Sequence, residues 1–277
     1  MTRPVGARTR LIALLGDPVS HSLSPRMQNA AFRAADLDAV YLALRCTGDT
    51  LPGMLRGIAL AGGAGNVTIP HKEEAARCLD RASPAVRETG ACNAFWLEDG
   101  QVTGDNTDVA GVVSAVKPLI GNGSNTGRWL LLGAGGGARA VVAAADRLGV
   151  REVRVLNRTP ARAHRLAEAM EGGPRLEVLG PDETIHGGDY DLVVNATSLG
   201  LGDADPLPLE VEVCRQAGAA FDLVYREGGT RWTRSLAAGG IPAVDGSEML
   251  LAQGAEAFRR WWRREAPVEA MRRALAG

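Results

Sequence analysis

The sequence predicts an α/β protein of two domains, each built around a mostly parallel sheet. Short apolar runs rich in Val, Ile, Leu and Ala alternate with longer helical stretches, which is the rhythm of βαβ units. The chain has 277 residues, about the length of two ordinary domains, and 45% of them are hydrophobic, enough for a substantial core. A Gly-, Asn- and Ser-rich stretch at 117–127 is typical of a segment that joins domains.

The apolar runs place the expected elements along the chain. In the first half we expect strands at 11–15, 40–44, 65–68 and 92–96 and helices at 25–35, 50–61 and from 72 onward. After the Gly-rich stretch we expect strands at 129–132, 153–156, 192–194 and 220–223 and a helix at 138–148. The amphipathic end of the chain predicts helices at 248–264 and 268–276.

Composition and charge argue against several classes of protein. The formal net charge is −1 with both signs spread along the chain, so we expect no nucleic-acid partner. No apolar run approaches the ~20 residues that span a bilayer, and the short apolar start lacks a signal-sequence cleavage site. The four cysteines, Cys46, Cys78, Cys92 and Cys214, have no metal-binding spacing, which predicts reduced thiols, a cytoplasmic location and no metal.

Lysine is nearly absent from this chain. Of 31 Lys and Arg residues, only Lys72 and Lys117 are lysines. Because arginine does not give up its proton near neutral pH, a retained lysine can indicate a place where ammonium chemistry is needed. The alternative is chance survival, which suits Lys117. Composition therefore singles out Lys72 without deciding its role.

A strand, a glycine turn and a helix start follow one another at 128–141 (RWLLLGAGGGARAV). They fit the pattern GxGxxA, in which the first glycine permits a tight bend, the second lets the backbone approach a pyrophosphate and the third small residue allows close packing. The turn consists of Gly133, Ala134, Gly135, Gly136, Gly137 and Ala138. The pattern predicts dinucleotide binding, with the phosphates on the helix N-terminus; the alternative is a purely structural turn.

The next expected strand indicates which dinucleotide binds. NAD sites usually carry Asp or Glu about 20 residues after the glycines, where it accepts hydrogen bonds from ribose hydroxyls. This chain instead has Asn157, Arg158 and Thr159, with Arg162 one helical turn after Arg158. Two guanidinium groups can clamp a 2′-phosphate, so the segment predicts NADP. The alternative is a helix start with solvated arginines.

Polar clusters that a plain core does not need lie at 16–25, 66–72, 90–93 and 104–108. In order along the chain, they resemble segments of the shikimate dehydrogenase family. The resemblance covers essentially the whole chain and continues at 133–138, 157–162, 195–200, 222–225 and 249–255. It implies NADPH-dependent reduction of 3-dehydroshikimate to shikimate, a step of aromatic amino-acid biosynthesis.

The family resemblance also implies a domain plan. Residues 1–117 correspond to the substrate-binding catalytic domain, completed by C-terminal helices at 245–277, and residues 118–244 to an NADP-binding Rossmann domain. The first domain would hold the substrate and the second would bring the nicotinamide. We expect a monomer or a homodimer with a small-molecule substrate.

Lys72 and Asp108 match the catalytic pair of the family. A lysine ammonium can protonate and stabilise the oxyanion that forms when a ketone is reduced, and a neighbouring carboxylate orients it. The division of roles between the two is not readable from sequence. The resemblance also implies substrate contacts from Ser22, Ser24, Asn66, Thr68, Asn93, Tyr225 and Gln253, and a cofactor contact from Thr197.

Several alternatives stay open. Ser22 and Ser24 can instead serve as helix caps ahead of Pro25, buried amides can merely satisfy backbone groups, and Tyr225 can serve packing. Glu248 stands where the family frequently has glycine, and it can instead form a capping box with Asp245. For the function, the alternatives are a quinate or aminoshikimate dehydrogenase, or a non-catalytic NADP(H)-sensing module.

Overall fold

The computed structural model describes residues 4–120, 127–180, 183–202 and 204–276 of the chain. No helix in those ranges is long and apolar enough to cross a membrane. The chain divides into two compact units, Met1–Asp108 with Leu250–Gly277, and Val109–Met249. Each unit contains one six-stranded sheet.

Strands and helices alternate along the first part of the chain. Up to residue 105 they are β1 (Arg10–Gly16), α1 (Ser24–Ala34), β2 (Ala39–Arg45), α2 (Leu51–Leu60), β3 (Ala64–Val67), α3 (Lys72–Arg77), β4 (Arg81–Ala82), α4 (Pro84–Thr89), β5 (Ala94–Glu98) and β6 (Gln101–Asp105).

The alternation continues to the end of the chain. The later elements are α5 (Asp108–Ile120), β7 (Arg128–Leu132), α6 (Gly136–Arg147), β8 (Glu152–Leu156), α7 (Pro160–Ala169), β9 (Arg175–Val178), β10 (Leu192–Asn195), α8 (Val211–Cys214), β11 (Ala219–Asp222), α9 (Arg231–Ala238), β12 (Ala243–Val244), α10 (Ser247–Trp262) and α11 (Val268–Ala276), with a short 3-10 helix at Gly187–Asp189.

The first sheet has the strand order β2-β1-β3-β5-β6-β4. β1 pairs in parallel with β2 and β3, whereas β5 runs antiparallel to both β3 and β6. The carboxyl ends of β1, β3 and β6 and the amino end of β5 therefore lie at one edge of the sheet. All four polar clusters of the first half adjoin these strand ends.

The antiparallel pair of β5 and β6 differs from the prediction. β5 begins at Ala94 rather than at residue 92, and it forms a hairpin with β6, a strand that the sequence reading missed. Asp99 and Gly100 make the two-residue turn, with φ of 50° and 74°. Positive φ at both positions is typical of a type I′ turn, and Asp-Gly is one of its preferred sequences.

The second sheet is parallel throughout, with the strand order β9-β8-β7-β10-β11-β12. Counted from its first strand, this is the 3-2-1-4-5-6 order of a doubly wound Rossmann sheet. Fully buried aliphatic side chains such as Val141, Val153 and Val194 form the core beside it. The predicted α/β fold class with a Rossmann domain is confirmed.

The linker predicted at 117–127 is placed too early, because its first four residues are helical. α5 continues through 117–120, and Pro118 lies inside it. Leu119 and Ile120 pack against the buried core of the second unit, and this burial outweighs the helix-breaking tendency of Pro118. Residues 121–126 of the predicted linker lie outside the described residues.

Gly65 lies in β3 between neighbours that leave no room for a side chain. A Cβ there would lie 2.3 Å from the backbone oxygen of Ala13 and 2.7 Å from the ring of Phe95. We expect Gly65→Ala to lower the free energy of unfolding by about 1–3 kcal/mol, as overpacking of a core usually does. Urea denaturation measures the difference.

Gly53→Ala is the matched control, because Gly53 lies in α2 with open space where its Cβ would be. Alanine at that position should be neutral or should stabilise the protein by about 0.5–1 kcal/mol. Equal destabilisation by the two changes would contradict the close packing at Gly65.

Candidate functional site

An ion pair lies at the carboxyl edge of the first sheet. Lys72 begins α3 shortly after β3 ends, and Asp108 begins α5 shortly after β6 ends. Lys72 Nζ lies 2.5 Å from Asp108 Oδ2, and the two side chains are only 14% and 6% exposed. The carboxylate is favoured at a helix N-terminus, whereas the ammonium is not, so Asp108 also offsets the unfavourable position of Lys72. The structure thus brings the predicted catalytic pair into direct contact.

Asn93 fixes the orientation of Asp108. Its Nδ2 donates to Asp108 Oδ1 at 2.8 Å and to Thr107 Oγ1 at 3.0 Å, and its Oδ1 accepts from the Thr107 backbone N–H at 2.7 Å. Both oxygens of the Asp108 carboxylate are therefore engaged, one by Asn93 and one by Lys72. Because rotation of the carboxylate would break at least one of these bonds, Lys72 is held at a defined point.

Further polar side chains join this network. Asn66 donates to the Asn93 carbonyl and accepts from the Tyr41 hydroxyl, both at 2.9 Å. Gln253 Oε1 lies 3.4 Å from Asn93 Nδ2, and Gln253 Nε2 donates to the Leu250 carbonyl within its own helix. Sequence reasoning missed Tyr41, which is fully buried; its signal was a hydroxyl on a side chain that the alternation of β2 turns inward.

The hydroxyls predicted to bind substrate follow the ends of β1 and β3. Ser24 begins α1 and is buried, and Ser22 Oγ accepts from the Ser24 backbone N–H at 3.2 Å. Leu23 is the N-cap residue and Ser24 the first residue of α1, so the capping alternative is wrong for Ser24, whereas the Ser22 hydroxyl does accept the first backbone N–H of the helix. Thr68 packs its methyl 2.4 Å from where a Cβ on Gly16 would lie, so glycine is required there. Within the described residues the hydroxyls of Ser24 and Thr68 make no hydrogen bond, which leaves them available to a ligand.

The glycine turn of the second unit connects β7 to α6. Gly133 has a φ of 104°, and a Cβ there would lie 2.9 Å from the Ala196 carbonyl oxygen, so glycine is required. Gly135 has nothing within 4 Å of its Cβ position, which leaves its backbone open to a ligand. α6 begins at Gly136, two residues before the predicted start at 138, so the last two glycines of the turn belong to the helix. The open turn and the helix N-terminus, where the strand order reverses, fit a pyrophosphate.

Two arginines flank the start of α7, which follows β8. Arg158 lies just before the helix and Arg162 in its first turn, and both are exposed. Asn157 Nδ2 donates to the Thr159 carbonyl at 2.8 Å and holds the intervening turn. In the part of the chain that the structure describes, neither arginine pairs with a carboxylate. Two uncompensated guanidinium groups at one helix start fit a 2′-phosphate.

Known proteins match this chain along essentially its whole length. A family model of the shikimate dehydrogenase substrate binding domain matches residues 14–95, and one of the shikimate 5′-dehydrogenase C-terminal domain matches residues 246–276. A shikimate dehydrogenase (NADP(+)) of Rubrobacter xylanophilus is 43% identical over 99% of this chain and 98% of its own length. The chain belongs to the shikimate dehydrogenase family.

Solved structures agree with that membership. The Thermus thermophilus shikimate 5-dehydrogenase in complex with NADP(H) and shikimate is 38% identical and has a TM-score of 0.82. The match covers 96% of this chain and 98% of that one. A 5-ketofructose reductase of Gluconobacter is 26% identical and has a TM-score of 0.83. The match covers 98% of this chain and 99% of that one. The architecture of the shikimate dehydrogenase family is therefore also that of a reductase named for another ketone.

The predicted family residues of the second unit are placed as follows. Thr197 follows β10, and its methyl lies 3.1 Å from where a Cβ on Gly133 would be. Tyr225 lies in the turn after β11, half-buried, and its role near the substrate carboxylate stays a prediction. Asp245 accepts from the backbone N–H groups of Ser247 and Arg226, both at 3.1 Å. The Ser247 bond is two residues along the chain, not the three of the bond to the Glu248 N–H in a capping box, so the capping box stays a prediction.

Asp222, the last residue of β11, is a buried carboxylate within a family-like segment. Its oxygens accept from Asn195 Nδ2, the Val224 backbone N–H and the Thr230 hydroxyl at 2.8–3.0 Å. Burial raises the pKa of Asp222 from 3.8 to about 6, although these three donors act in the opposite direction. The folded protein therefore holds a proton at Asp222 in a pH range where the unfolded chain has released it.

We expect this raised pKa to appear in the pH dependence of stability. Between about pH 4 and 6 the folded state binds more protons at Asp222 than the unfolded state, so this contribution to the free energy of unfolding falls as pH rises. Asp222→Asn removes the titration. When the pH is lowered from 8 to 5, the free energy of unfolding of the wild type, measured by urea denaturation, should rise by about 1–2 kcal/mol relative to that of the variant. A difference that stays constant over this range would contradict the assignment.

Proposed function

We propose that this chain catalyses the NADP-dependent interconversion of 3-dehydroshikimate and shikimate. The observation that carries the proposal is the shielded pair of Lys72 and Asp108, oriented by Asn93 at the edge of the sheet that also presents Ser24 and Thr68. The Thermus thermophilus relative, crystallised with NADP(H) and shikimate, supports this choice of ligands.

The reaction transfers a hydride and a proton. NADPH, when bound, supplies the hydride to the carbonyl carbon of the ketone. Negative charge then develops on the carbonyl oxygen, where the Lys72 ammonium stabilises it and donates a proton. Asp108 orients the ammonium and, in the direction of oxidation, helps Lys72 to take the hydroxyl proton. Because the protein orients the pair in advance, little reorganisation accompanies the reaction.

The surrounding polar groups divide into substrate contacts and supports. We assign substrate contacts to Ser22, Ser24, Asn66, Thr68 and Gln253. Asn66 keeps one amide N–H beyond its bond to the Asn93 carbonyl, so it can still reach a ring hydroxyl. Asn93 donates to Thr107 and Asp108, so we assign it to orienting the carboxylate, and its contact with a ring hydroxyl stays a prediction.

Removal of the ammonium should slow the chemical step. We expect Lys72→Ala to lower kcat for shikimate oxidation by about 10²–10⁴-fold, with a smaller change in KM, because a general acid–base contributes about that much. The assay mixes purified protein with shikimate and NADP⁺ and follows NADPH absorbance. Lys117→Ala is the matched control, since Lys117 is exposed on α5. Wild-type turnover no greater than that of Lys72→Ala would defeat the proposed function.

The exposed arginines beside α7 should select NADP⁺ over NAD⁺. We expect Arg158→Ala and Arg162→Ala each to raise KM for NADP⁺ by about 10-fold or more, because each removes a charge-assisted hydrogen bond to the 2′-phosphate. KM for NAD⁺ and for shikimate should change little. Arg165→Ala, also exposed on α7, controls for the loss of one positive charge. An equal effect on both cofactors would contradict the 2′-phosphate assignment.

The substrate of this reaction can be identified by measuring kcat/KM for several candidate substrates with each cofactor. Shikimate, quinate and an aminated shikimate analogue are each assayed with NADP⁺ and NAD⁺, and 5-ketofructose with NADPH, since a relative is named for that ketone. Shikimate with NADP⁺ should give the highest kcat/KM. NADPH binding without turnover of any substrate would favour the sensing module. The cytoplasmic location and the choice between monomer and homodimer stay predictions.

A further inference from the structure

Asp222 is buried in a way that packing alone does not require. Its side chain is 0% exposed, and in the described residues no Lys, Arg or His lies within ion-pair distance of it. Burying a carboxylate without a cation is costly even when hydrogen bonds satisfy it, and apolar residues often fill such a place with no loss of stability. What the carboxylate offers, and an apolar side chain does not, is a fixed hydrogen-bond acceptor at the end of β11.

The acceptor faces Asn195, the last residue of the neighbouring strand. Asn195 and Asp222 lie opposite each other in the register of β10 and β11. Asn195 Nδ2 donates to Asp222 Oδ1 at 2.8 Å and to the Leu199 carbonyl at 3.1 Å. Because an ionised carboxylate only accepts, it forces the N–H₂ end of the Asn195 amide toward itself and the oxygen end away. Asp222, at the shorter distance, and the Leu199 carbonyl together set which way the Asn195 amide points.

The oxygen end of the Asn195 amide holds Thr197. Asn195 Oδ1 accepts from the Thr197 backbone N–H at 3.0 Å and from its hydroxyl at 2.7 Å, and the hydroxyl accepts from the Leu199 N–H at 3.1 Å. A flipped amide would point N–H₂ at the Thr197 N–H, donor against donor. Residues 196 and 197 also lie against Gly133, 2.9 and 3.1 Å from its Cβ position. A continuous set of contacts thus runs from Asp222 to the glycine turn.

We propose that Asp222 is a positioning residue for cofactor binding, which acts through Asn195 to hold Thr197 and the 196–200 loop against the glycine turn. The inference rests on the proposed function, in which this turn binds NADP. It adds a residue that touches no ligand and whose contribution passes through two hydrogen-bonded side chains.

The test compares two neutral replacements of nearly the same size. Asp222→Leu removes the acceptor, whereas Asp222→Asn keeps a carbonyl oxygen that can face Asn195 and an N–H₂ group that can face the Thr230 hydroxyl. We expect Asp222→Leu to weaken NADPH binding by about 3- to 10-fold, the range of one lost hydrogen bond. KM for shikimate should not change, and Asp222→Asn should bind NADPH as the wild type does. NADPH fluorescence titration measures binding, and steady-state kinetics give the two KM values.

A cycle with Thr197→Val tests the route. Thr197→Val should itself weaken NADPH binding. The double variant with Asp222→Leu and Thr197→Val should bind NADPH about as well as whichever single variant binds it less tightly, because both changes interrupt the same route. Unchanged binding in either single variant, or additive losses in the double variant, would overturn the proposal. If Asp222→Leu does not fold, Thr197→Val still decides, since normal NADPH binding by that variant contradicts the role of the loop.

The fluorescence readout separates this proposal from the proposed function. NADPH binding does not depend on turnover. A wild type that binds NADPH but does not oxidise shikimate would defeat the proposed function, and the comparison of Asp222→Leu with Asp222→Asn would still test the positioning role.

Discussion

The contact between Lys72 and Asp108 is the constraint on which the first unit depends. Two opposite charges shielded from water must stay together, because loss of one partner leaves the other unpaired at a cost of about 3–5 kcal/mol. The helix starts that carry them are set by the ends of β3 and β6, and β5 lies between these strands. The register of β5 therefore decides the geometry. A slip of one residue would turn Asn93 to the opposite face and leave Asp108 Oδ1 without its donor.

The end of the chain is part of the same arrangement. Arg260 on α10 places its Nε 2.9 Å from Asp105 Oδ2, at the strand end that leads to Asp108. Gln28 on α1 donates to the Gly254 carbonyl at 2.9 Å, and a Cβ on Gly254 would overlap Met27, so α1 and α10 approach closely there. These contacts place the preceding residue, Gln253, beside Asn93. The polar network of the first unit thus includes residues from both ends of the sequence.

The sequence predicted the chemistry of the site better than its supports. Composition singled out Lys72 and the pattern of glycines singled out the turn, whereas the pairing of Lys72 with Asp108 and the substrate contacts followed from the family resemblance. Tyr41 reaches from β2 across β1 to Asn66 on β3, and Asp222 bonds Asn195 on the neighbouring strand, and the order and pairing of strands are not visible in one sequence. The hairpin of β5 and β6 is different, because Asp99-Gly100 is a turn signal that is visible in the sequence. At 117–120, burial of apolar side chains overrode the local signal of Pro118.

The two units use charge in opposite ways, and the difference follows from where each charge must act. Under the proposed function the ammonium of Lys72 must be oriented before the carbonyl oxygen becomes negative, which agrees with its being paired and shielded from water within the protein. Arg158 and Arg162 are left exposed and unpaired by any described carboxylate, so under the proposed function their ion pairs form only when the 2′-phosphate binds, and water screens them until then. Asp222 is a third case, a charge with hydrogen-bond donors but no counter-ion, which suits a group that orients a neighbour rather than one that binds a ligand. In the proposed function, proton transfer thus depends on a pair of charges that the protein arranges in advance. Cofactor choice depends on two arginines whose partner, the 2′-phosphate, comes with the ligand.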